Sequence, residues 1–154
     1  MPITTALLLF LHLLAAAFWV GGMATMHFAV RPAAVATLEP PLRLPMMAAA
    51  LSRFFKGVFV AIGVLLASGL WMVWAAGGFA RVHWSVHAMF TVGLVMMALF
   101  FHVRFAPYMR LTRAVAAREW PVAATNLNTI RKLVALNLGL GVLVFALAIV
   151  GRAI

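Results

Sequence analysis

The chain has 154 residues, room for one domain, and is 67% hydrophobic and only 9% charged; a water-soluble core of this size could not hide so much apolar surface, whereas a bilayer can. The formal charge of +10 lies in short segments between long apolar stretches, a distribution that fits membrane orientation and excludes a phosphate-tracking nucleic-acid face. Cysteine is absent and the two carboxylates, Glu39 and Glu119, stand outside the apolar stretches, which excludes disulfides, thiolate sites and a buried carboxylate acting as proton relay, general base or hard-metal ligand.

The first predicted element is a span at about 3–30, free of charge from Ile3 to Val30. It has no basic segment ahead of it and is too long for the apolar part of a signal peptide, so a retained helix is expected. Pro40, Pro41 and Pro45 then break the connection, and Pro45 is placed to open a helix leading into a second span at about 54–78. Gly77-Gly78 marks a tight hairpin before a third span at about 82–104. Trp120-Pro121 marks a turn between an extension of that span and a helix feeding a fourth span at about 131–152. Each span meets the roughly 20 residues needed to cross about 30 Å of hydrocarbon. The expected fold is an all-α, four-helix, up-and-down membrane bundle.

Four spans put both termini on one side. Arg31, Arg43, Arg53 and Lys56 occupy the first connection, and Arg104, Arg110, Arg113, Arg118, Arg131 and Lys132 the third. Only Arg81 and Arg152 lie on the opposite side. The positive-inside rule therefore predicts periplasmic termini and a multi-pass protein of a bacterial inner membrane.

All five histidines fall on the first and third spans or their ends: His12, His27, His83, His87 and His102. The interval from His12 to His27 is fifteen residues, and so is that from His87 to His102. Fifteen residues rise about 22 Å and turn about 60° beyond whole turns. In parallel spans these pairs could meet in two layers, His12 with His87 and His27 with His102, as axial ligands of two b-type haems; no CxxCH is present for covalent attachment. A polar ring as deep as His12 usually faces a partner or cofactor. His27, close to Arg31, and His102, close to Arg104, are also readable as interfacial, and His83, two residues from Arg81, more so. Trp19 shares a face with His12, Gly21-Gly22 leaves room for a macrocycle or for helix packing, and Arg53 and Lys56 are placed for haem propionates or lipid phosphates.

Copper is the competing ligand chemistry. Met23 and Met26 precede His27, Met89 follows His87, and Met96 and Met97 precede His102; thioether and imidazole together suit Cu(I), although methionine in an apolar chain is often packing filler. His12, His83 and His87 could also form a three-imidazole copper site.

The segment LHLLAAAFWVGGM from Leu11 to Met23 resembles the opening of the copper-resistance protein D (CopD) family. The resemblance continues through RFFKG at Arg53, SGLWM at Ser68, HWSVH at His83 and IRKLVALNLGLG at Ile130. It implies copper handling at the inner membrane; family members in copper-resistance operons are commonly longer, with additional spans. The layout is also similar to four-helix membrane b-type cytochromes. The pattern from His12 through Trp19 to Gly22 resembles HemJ-type protoporphyrinogen oxidases, a similarity that carries His12 and His87 over as haem ligands and leaves the inner pair uncovered.

The leading expectation is thus a haem b electron carrier, with membrane oxidoreductase as the enzyme class it would fall in, exchanging electrons with a quinone or a periplasmic redox partner. The alternative is a copper transporter or copper-binding membrane protein. Lipid is the expected surroundings, and exposed small-residue faces are compatible with a homodimer.

Overall fold

The computed structural model describes residues 2–152, and four of its helices are long and apolar enough to cross a membrane. Helix α1, Ile3–Thr25, runs on through a π-helical turn, Met26–Val30, into α2, Arg31–Thr37. Pro32 sits in the first turn of α2, where its missing N–H is tolerated. Helix α3 spans Pro40–Ala75, so it opens at the Pro40-Pro41 pair, earlier than the expected start at Pro45. Pro45 lies inside the helix but near its beginning, where it forfeits one backbone bond to a carbonyl of the opening turn.

The first hairpin closes on Gly77 and Gly78, with φ of +92° and +90°, a backbone region that side chains with a Cβ rarely adopt. Their N–H groups donate to Trp74 and Val73 carbonyls at 3.0 and 2.9 Å, so the last carbonyls of α3 are satisfied. Helix α4, Trp84–Phe105, follows. It ends at Ala106, because Pro107 disfavours helical geometry at the residue before it. Helix α5, Pro107–Ala116, is amphipathic, burying Pro107, Tyr108, Leu111 and Ala114 while Arg110 and Arg113 face out. A turn through Arg118, at φ +59°, leads to α6, Trp120–Ile149, so Trp120 and Pro121, expected as the turn, stand in the first turn of the helix just after it.

Helix α1 packs chiefly along α3, and α6 packs along both α4 and α5. Between α4 and the α1–α3 pair the distance is bridged by rings. Phe100 meets Trp19, Phe55 and Phe59 edge-on at centroid distances of 6.1, 5.5 and 5.1 Å, the arrangement favoured by aromatic quadrupoles. Asn137 of α6 donates from Nδ2 to the Met96 carbonyl of α4 at 3.3 Å.

The exterior of the bundle is apolar. Phe10, Leu14, Phe18, Val60, Leu136 and Val142 are all exposed, an inversion expected where lipid is the solvent. Exposed Trp71, Trp74 and Trp84 ring the hairpin end, as in an interfacial aromatic belt. At the opposite, basic end, α3 and α6 project past the expected spans and close with α5 over Leu44, Leu51, Leu111 and Ile130. There the Tyr108 hydroxyl donates to the buried Ala48 carbonyl at 3.2 Å. The chain is a multi-pass membrane protein whose best-sealed core lies toward its basic end.

Candidate functional site

A side-chain polar contact joins α1 to α3. His12 is half-buried, with Nδ1 2.8 Å from Ser68 Oγ. Ser68 Oγ also donates to the Val64 carbonyl one turn back. A hydroxyl has a single proton, so Ser68 accepts from His12, and the ring is the Nδ1–H tautomer. Its Nε2 therefore keeps a free lone pair. The next residue, Gly69, leaves the ring its space: a Cβ there would stand 3.3 Å from His12 Cε1.

Of the residues expected to form two facing layers, His12 is placed against Ser68 of α3, and His87 and His102 lie exposed on α4. The neighbour of α1 along its length is α3, and His12 is turned onto Ser68. The distance between α1 and α4 is filled by Trp19, 3% exposed, against Phe100. Trp19 is thus a core side chain. His87 is exposed, its ring 5.7 Å from that of Phe79, and His102 and Arg53 are exposed as well. His83 caps α4: its Nδ1 accepts from the Ser85 N–H at 3.4 Å and lies 2.9 Å from Ser85 Oγ. An accepting Nδ1 requires the proton on Nε2, so capping and ligation through Nε2 are mutually exclusive for this ring. Among the described residues no three His, Asp or Glu side chains gather to hold a metal, which leaves His12, His83 and His87 unassembled as a three-imidazole site.

Thioethers alter the picture at the basic end. Met26 and His27 belong to the π turn, and both line a cavity of about 30 Å³ that is also lined by Met47 of α3. One histidine and two methionines thus line a single small space. Arg31 and Arg131 stand at its edge. The sequence pointed to Met26 beside His27, but Met47 escaped it. The expected span starts only near residue 54, which leaves Met47, on the helix expected to open at Pro45, outside the membrane-crossing part. A π turn, rare and often found at functional sites, has no sequence signature of its own.

These donors fit a soft monovalent ion better than a hard or borderline one. Residues 48–150, about two thirds of the chain, match the family model described as copper resistance protein D. The matched segment includes Arg53, Ser68, His83, His87 and His102, while His12, His27, Met26 and Met47 precede it. No curated protein and no solved structure matches the chain. The chain belongs to the copper resistance protein D family.

Proposed function

We propose that this protein handles copper as cargo within the membrane, taking Cu(I) at the basic end of the bundle through Met26 Sδ, the His27 imidazole and Met47 Sδ. The observation that carries the reading is that Met26, His27 and Met47, three residues with soft-donor side chains, line one small cavity, in a chain of the copper resistance protein D family. Cu(I) accepts few, soft ligands, and thioether with imidazole supplies them without cysteine. The guanidiniums beside the cavity oppose any cation, and Coulomb repulsion scales with the ion's charge. Cu(I) is therefore favoured over Cu(II) and over divalent competitors, and the repulsion lowers retention in the direction that onward transfer needs. The basic end would face the cytoplasm of a bacterial inner membrane.

The test is anaerobic Cu(I) titration of the purified protein in neutral detergent against a chromophoric competitor. Met26→Leu and Met47→Leu nearly conserve volume and should each weaken binding by about tenfold or more, equivalent to about 1.4 kcal/mol. Unchanged affinity in both variants overturns the assignment.

A second reading rests on a separate observation, the free Nε2 on His12. A ligating histidine commonly donates its other ring N–H to a fixed acceptor, and Ser68 is such an acceptor. Here His12 and His87 would ligate haem b outside the aromatic core, passing electrons to a quinone or a periplasmic redox partner. A Soret band with α-band response to dithionite, lost in His12→Ala, would support it. A colourless protein that retains copper removes it.

A further inference from the structure

A second, larger cavity lies beside the methionine-lined one. Its volume is about 100 Å³, and it is bordered by Arg31 of α2, Arg43, Leu44 and Met47 of α3, and Leu127 and Asn128 of α6. That is several times the space a single water needs. The two cavities share Arg31, Met47 and Leu127, and Arg131 borders the smaller. Three guanidiniums from three helices thus converge on adjoining spaces, and the like charges of Arg131 and Arg43 both bear on Arg31. Neither carboxylate of the chain lines either cavity, and Glu39 and Glu119 are both exposed.

The hydrogen bonding is incomplete in the same place. Arg131 Nε is shut off from solvent and has no hydrogen-bond partner, although buried donors are nearly always satisfied. Arg43 reaches only a long contact, Nη1 to the Leu38 carbonyl at 3.5 Å. Half-buried arginines held together without a counter-charge repel one another, and a tetrahedral oxyanion would both neutralise them and fill their planar donor forks. Arg31 follows directly on the charge-free stretch of the first span, the depth at which headgroup phosphates stand.

We propose that the Arg31–Arg43–Arg131 cleft is an anion site for a phosphate group, whether carried by an anionic phospholipid or free in solution. The site shares Arg31 and Met47 with the lining of the proposed copper cavity, but it rests on the arginines and stands if that reading fails.

Thermal unfolding of the whole protein in neutral detergent tests it, with inorganic phosphate compared with chloride at matched ionic strength. A second arm compares mixed micelles of phosphatidylcholine with and without phosphatidylglycerol. A saturable rise in melting temperature with phosphate identifies a soluble ligand; a rise with phosphatidylglycerol alone identifies a lipid headgroup. Arg43→Gln and Arg131→Gln should each raise the half-saturating concentration about tenfold or more. Arg43→Lys, which keeps the charge and loses the fork, should raise it less, and Arg113→Gln, on the exposed face of α5, should leave it unchanged. The proposal is overturned if neither ligand shifts the wild-type melt, or if the shift is the same in Arg43→Gln and Arg113→Gln. The wild-type arms stand even where a variant fails to fold.

Discussion

Ser68 holds its place by two hydrogen bonds, one given to Val64 and one received from His12. Interhelical bonds of this kind in a bilayer contribute about 0.6–2 kcal/mol. Ser68→Ala should therefore lower stability by that amount, read as a fall in the melting temperature in detergent. It should also release the ring, so that nitrogen NMR of labelled His12 reports mixed tautomers in the variant and a single Nδ1–H form in the wild type. The depth of His12 was legible in the sequence, since its distance from the nearest charge is a matter of counting. Its partner was not. A fifteen-residue interval relates two positions on the same helix and says nothing about which neighbouring helix they face. Met47 was obscured differently, because a membrane span estimated from charge stops where the first arginine or lysine stands, while the helix itself continues.

Among the elements, the α4 helix depends on rings for its attachment to α1 and α3, and Phe100 is their common contact. Truncating a buried aromatic costs about 3–5 kcal/mol through lost transfer energy and the cavity left behind. Phe100→Ala should accordingly unfold at markedly lower temperature than Phe101→Ala, whose ring is more exposed; equal losses would mean that α4 is held by something else. Turn chemistry at this scale was readable: Gly77-Gly78 and Trp120-Pro121 mark real reversals, because positive φ and the missing proline N–H are local demands. The division between α4 and α5 at Ala106 follows the same proline rule, yet disappears when the third span is judged by hydropathy alone. The π turn left no comparable mark, because Met26–Val30 has the composition of ordinary apolar helix.

For the molecule as a whole, the exposed apolar exterior and the basic end define a direction across the bilayer. The absence of cysteine makes that direction simple to measure. A thiol introduced as Ala36→Cys, next to the basic end, should react with an impermeant reagent only from the cytoplasmic side. One introduced as Ala80→Cys, by the hairpin, should react only from the other side. The reverse pattern would invert the proposed orientation and place the proposed copper-binding residues on the outside. The number of spans and their alternation were legible because hydrocarbon thickness imposes a length on every helix that crosses it. The projecting, well-packed basic end was not, because its helices are amphipathic and answer to one another more than to lipid.

The π turn has a consequence for inheritance. It holds one residue more than the α-helical turn it replaces, and each helical residue accounts for about 100° of rotation. Straightening Met26–Val30 into regular helix with all five residues kept would leave the hydropathy of the span untouched and turn Arg31 by about 90° away from both cavities. Loss of a single codon there would instead restore regular helix and keep Arg31 in phase. A homologue one residue shorter here could thus keep the arginine cleft on plain α-helix, and one of equal length could lose it by losing the π turn, so length and local helix geometry have to be compared together.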